Sequence, residues 1–160
     1  MKRALAVAAG LVLIGAGQPA RDPVDPHFAK VSLAEFSFAQ VKLALVPPPV
    51  DPKRKGMVDD YGAPPLRDEK SCDMSRAQMA DSLDILKRAH VVPGARRGFD
   101  IDFGFVFVDP RGGLFGLDIG RPRPSDKGAV RVYAGDYVGT LGAVEYARAV
   151  KLAAAAGCKP

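Results

Sequence analysis

Bulky apolar residues alternate with small and acidic ones along GFDIDFGFVFVDPRGGLFGLDIG, residues 98–120. That period of two sends successive side chains to opposite faces of a strand. In the middle stand Asp109, Pro110, Arg111 and Gly112: an aspartate that bonds its own backbone, a proline with its φ already set, and a glycine where positive φ is wanted. A hairpin closed by Asp109 and Gly113 places Phe107 opposite Phe115, Phe105 opposite Leu117 and Phe103 opposite Ile119, which makes one apolar, core-forming face. The other face then carries Val106 opposite Gly116, Gly104 opposite Asp118 and Asp102 opposite Gly120, with Asp100 on the same side. The hairpin strands are expected over about 99–108 and 114–119. A third strand over about 129–134 turns Val130 and Val132 to the core and Arg131 and Tyr133 to the aspartates' face.

Helical spacing dominates on either side of this region. In SCDMSRAQMADSLDILKRAH, residues 71–90, an apolar line runs through Met79, Leu83, Leu86 and His90. Ser75 or Asp73 stands ready as N-cap, and Asp81 and Asp84 fall on the side away from that line. The helix is expected to end before VVPG. A second helix, from about Leu141 to Ala156, is rich in small residues and stops at Gly157.

Two signals conflict in HFAKVSLAEFSFAQVKLALV, residues 27–46. Ser32 with Glu35 matches a capping box, and Val31 with Phe36 a hydrophobic staple, so a helix from Leu33 is one reading. Against it, Glu35, Ser37, Gln40 and Lys42 would scatter around a helix, whereas an extended chain groups the apolar residues with a few phase slips. A strand is the preferred reading. Nine of the fourteen prolines lie between Pro19 and Pro65, so about 47–66 is expected to be irregular or extended, either a linker or a strap. The expected fold is α+β: an antiparallel sheet of three to five strands packed on one face by two helices, with one disulfide. Residues 1–20 read as a leader, 21–70 as a Pro-rich segment with one or two strands, and 71–160 as the α+β core.

The leader rests on MKRALAVAAGLVLIGAGQPA, in which Lys2 and Arg3 precede an uncharged apolar run and a small-residue exit. That is the three-part pattern of a secretory signal peptide, and the run is too short to span a bilayer. Export, to the periplasm or outside the cell, is therefore expected, with no stable membrane anchor after cleavage. An oxidising destination makes pairing of Cys72 with Cys158 the default. The net charge of +5 loses Lys2 and Arg3 with the leader. Basic clusters such as Lys53–Lys55 and Arg96–Arg97 lack interleaved aromatics, so nucleic acid is not an expected partner.

Candidate chemistry is sparse. Asp100, Asp102 and Asp118 are the only candidates for a catalytic or metal-binding cluster, and neither role is assigned to them. The simplest reading is a solvated sheet face with Arg131 beside Asp118. The alternatives are a hard-cation site or an acid and base pair. His27 and His90 have no metal-ligand company, and His90 is expected to pack or cap at the helix end. No cofactor is expected. Arg121, Arg123, Arg131, Tyr133, Tyr137 and Tyr146 form the candidate binding surface, because tyrosine and arginine are favoured in protein contacts. The expected function is that of an exported, non-catalytic protein that contacts an envelope protein or a small ligand. The competing class is a carboxylate- or metal-dependent hydrolase using the aspartates.

Overall fold

A computed structural model describes residues 20–43, 70–94, 101–126 and 128–160. The leader except Ala20, the proline-rich stretch 47–66 and Asp100 lie outside the described residues. The elements in chain order are β1 (Phe38–Leu43), β2 (Lys70–Asp73), α1 (Arg76–Lys87), β3 (His90–Pro93), β4 (Ile101–Val108), β5 (Leu114–Gly120), β6 (Val130–Ala134), β7 (Tyr137–Leu141) and α2 (Ala143–Ala155). All seven strands join one antiparallel sheet in the order β2-β1-β4-β5-β6-β7-β3. The α+β class holds, but the sheet exceeds the three to five strands expected. The strands not anticipated are β2 and β3, four residues each and at the two edges, and β7, five residues between β6 and β3. Four residues are too few for a period of two to stand out.

The hairpin registers as its alternation requires: Phe107 faces Phe115, Phe105 faces Leu117 and Phe103 faces Ile119. The Asp109 carboxylate accepts from the backbone N–H groups of Arg111 and Gly113, and Gly112 takes φ of 83°, the conformation that only glycine adopts without strain. Both helices lie on the phenylalanine face. Met79, Leu83, Ile85 and Leu86 of α1 and Ala149, Leu152 and Ala153 of α2 join Phe103, Phe105, Phe107, Leu117, Ile119 and Val132 in one core. Burying a large side chain such as these phenylalanines stabilises by about 1.5–3 kcal/mol, so this face accounts for most of the cohesion.

Residues 27–46 satisfy both signals in succession. Ser32 and Glu35 make the capping box, but it opens a single 3-10 turn, Leu33–Glu35, and the chain then enters β1. Phe36 is buried at the junction. Arg76 donates to the carbonyls of Phe36 and Leu33, which fastens that turn to α1.

Helix α1 begins at Ser75, whose hydroxyl accepts from the Gln78 N–H while the Gln78 side chain accepts from the Ser75 N–H. It ends earlier than the apolar line implies. His90 belongs to β3 and is exposed, so it neither packs nor caps. The β-branched pair Val91 and Val92 favours extended backbone, and Pro93 holds its predecessor there. Helix α2 closes with a Schellman motif: Cys158 N–H donates to Ala153 O and Gly157 N–H to Ala154 O, with Gly157 at φ 92°. Cys158 thereby reaches β2 and bonds Cys72, with Cα atoms 5.8 Å apart. That bond is compatible with an oxidising, extracellular location. No helix among the described residues is long and apolar enough to cross a membrane.

Candidate functional site

Of the three aspartates, Asp100 lies outside the described residues, and Asp102 departs from the simple register. Ile101, not Asp102, stands opposite Gly120, while Phe103 keeps its place opposite Ile119. Asp102 is therefore the extra residue of a β-bulge, which redirects its side chain. Its carboxylate, 19% exposed, accepts from Arg121 Nη2 at 3.4 Å. Tyr146 lies close to this pair: burial and the Asp102 charge raise the pKa of its hydroxyl, against the lowering effect of Arg121. Its ring meets Phe103 at 6.4 Å between centroids. Asp118 stays on the face away from the helices, opposite Gly104 and Tyr133. Its Oδ1 lies 3.0 Å from the place a Cβ would occupy on Gly104, so the carboxylate spreads over bare backbone. Among the described residues no three acidic, histidine or cysteine side chains converge as a metal site.

The six tyrosines and arginines are spread over the molecule. Arg121 and Arg123 follow β5 at the end of the sheet where β6 begins, and Tyr146 in the first turns of α2 joins that end. Tyr137 opens β7 at the other end and turns inward, with ring centroids 4.9 Å from His27 and 6.4 Å from Phe28. Tyr133, only 9% exposed, is directly opposite Asp118, a position that Arg131 does not take. Arg131 itself is exposed. Arg121 and Tyr146 are brought to a shared carboxylate, that of Asp102.

Two features escaped the sequence reading. The first is an ion network between the helices. Asp84, expected on a solvated face, receives Arg88 at 3.0 Å and Arg148 at 3.0 Å. Burial raises its pKa, but the hydrogen bonds and charges of the two arginines outweigh burial and hold it below the ordinary carboxylate value. Glu145 on α2 is wholly buried, with one oxygen on Arg148 and Oε1 without a hydrogen bond. The spacings Asp84 to Arg88 and Glu145 to Arg148 were the available signal, being helix neighbours four and three residues apart. The second feature is Asp25, 7% exposed. Its carboxylate accepts from His27 N–H at 2.8 Å and Val91 N–H at 3.3 Å. Together with Pro93 it blunts the outer edge of β3.

The sheet face opposite the helices holds an apolar row. The register places Phe38 of β1 opposite Val108 of β4, and Val108 opposite Leu114 of β5. Phe38 is 45% and Leu114 72% exposed, so the row lies open at the hairpin-turn end, bordered by Gln40, Val106 and Gly116 in the next rank. It has no reactive group, but it has the flat, cross-strand form of a contact surface. No family model, curated protein or solved structure matches the chain.

Proposed function

We propose that this is an exported, periplasmic or secreted, non-catalytic protein that works by contact, and that its contact surface is the open sheet face. The observation that carries this reading is the row Phe38, Val108 and Leu114, exposed at Phe38 and Leu114 and half-buried at Val108, on a sheet whose other face is sealed by two helices. Water-exposed phenylalanine and leucine side chains in one cross-strand row are the type of group that a partner covers to advantage. The pairing of Asp102 with Arg121 favours contact over hydrolysis, because the carboxylate's charge is already compensated.

A photo-crosslinking residue at position 38 or 114 tests the proposal in the cell envelope. A discrete adduct from both positions, and none from Lys151 on the exposed side of α2, is expected. Equal labelling at all three positions, or none at 38 and 114, removes the open face from consideration. The hydrolase alternative has its own test. Asp102→Asn with Asp118→Asn is expected to leave the adducts unchanged, and their loss would restore a role for those carboxylates.

A further inference from the structure

A groove of about 380 Å³ runs between the N-terminal segment and α1, on a different side of the molecule from the open sheet face. Its lining is mixed, with Val31 and Leu33 from the N-terminal segment and Ala80 and Leu83 from α1 as the apolar part. Lys30, Asp84 and Lys87 are its charged lining residues. From this combination we infer that the groove is a binding site for a small amphiphilic anion, one with an alkyl or aryl body and a carboxylate or phosphate head.

The charges select the sign of the ligand. The Asp84 carboxylate is already engaged by Arg88 and Arg148, and Arg21 approaches it at 3.5 Å, so its charge is compensated from three directions. Neither lysine ammonium has an ion-pair partner among the described residues. A cationic head would meet uncompensated positive charge, whereas an anionic head finds two flexible lysine donors in the lining. The volume is within the ordinary range for small-ligand pockets.

The walls are held in place before any ligand arrives. Phe28, next to the groove, is buried against Phe115 and Tyr137. The Ser32 and Glu35 capping box fixes the following turn, and Arg76 ties Leu33 and Phe36 to α1. A preformed wall spares the ordering that would otherwise oppose binding.

The test is an amide chemical-shift titration of the whole protein with decanoate below its micelle concentration. Saturable shifts confined to Ala29–Leu33 and Ala80–Lys87 are expected, and they should weaken with added salt. Decyltrimethylammonium, with the same chain and opposite charge, and acetate, with the same head and no chain, are each expected to bind at least about tenfold more weakly. The double variant Lys30→Glu, Lys87→Glu should bind decanoate about tenfold more weakly, with Lys30→Gln, Lys87→Gln used if the first does not fold. Equal binding of the anionic and cationic chains, shifts scattered over the surface or centred on Phe38 and Leu114, or unaltered affinity in the lysine variants would each overturn the inference. Because the groove and the open sheet face share no residue, either result leaves the contact proposal to its own experiment.

Discussion

Glu145 shows how far a single side chain can depart from its expected place. It lies in the first turn of α2, where a carboxylate suits the helix dipole, but it is wholly buried, with Arg148 as its hydrogen-bonded partner and Arg88 4.0 Å from its Oε1. Arg148→Met should therefore destabilise the protein by about 3 kcal/mol, because it strands a buried charge, and Glu145→Gln by about 1–2 kcal/mol. Denaturant unfolding would check both, and a loss of only a few tenths from Arg148→Met would show that the pair is solvated. Asp84 adds a pH dependence. A carboxylate whose folded pKa is depressed contributes stability above its unfolded value, and that contribution is lost as pH falls through the folded one. The stability difference between the native protein and Asp84→Asn should therefore stay constant above the ordinary carboxylate range and shrink below it. A difference independent of pH down to about pH 2 would contradict this. The sequence displayed the residues of this network but not their enclosure, because burial of a charge depends on which helix faces meet.

Local rules identified most elements correctly and failed where tertiary pairing took over. The alternation around Pro110 predicted the hairpin and its register from Phe103 opposite Ile119 to Phe107 opposite Phe115, since alternate pairs there sort apolar residues inward. It failed at Asp102, because a bulge has no signature in an alternating pattern. In residues 27–46 the capping box and the strand pattern were both genuine, but a cap fixes only one turn, and packing of β1 between β2 and β4 ends the helix after it. At the far edge β3 can lie beside β7 only because Gly139 has no side chain: a Cβ there would collide with the His90 carbonyl. Gly139→Ala is expected to destabilise by about 3 kcal/mol and to release the amides of β3 to hydrogen exchange ahead of β4 and β5. Gly112→Ala should cost only about 1 kcal/mol, since its Cβ meets nothing within 4 Å and only its φ of 83° resists. Equal losses from the two substitutions would mean that β3 does not approach β7 as closely as this register requires.

On the scale of the whole molecule, α1 runs from one edge strand to the other, and the disulfide joins the first of those edges to the end of α2. The bond links residues 86 apart in the chain. In the chain-entropy view, closing such a loop stabilises by about 4 kcal/mol, so Cys72→Ser with Cys158→Ser should lose an amount of that order. A loss below about 1 kcal/mol would show a denatured state that is already constrained. The pairing, the α+β class and the helix-covered phenylalanine face were legible in the sequence, because each follows from composition or a short period. The apolar row of the opposite face was not, since it joins three strands whose order only the folded sheet discloses. The central claim is that this face is free in the isolated protein. Its most direct measurement is the unfolding free energy of the double variant Phe38→Asp, Leu114→Asp. A change within about 1 kcal/mol of the native protein is expected for residues standing in water, while a loss of several kcal/mol would mean that the face is already covered and that contact must lie elsewhere.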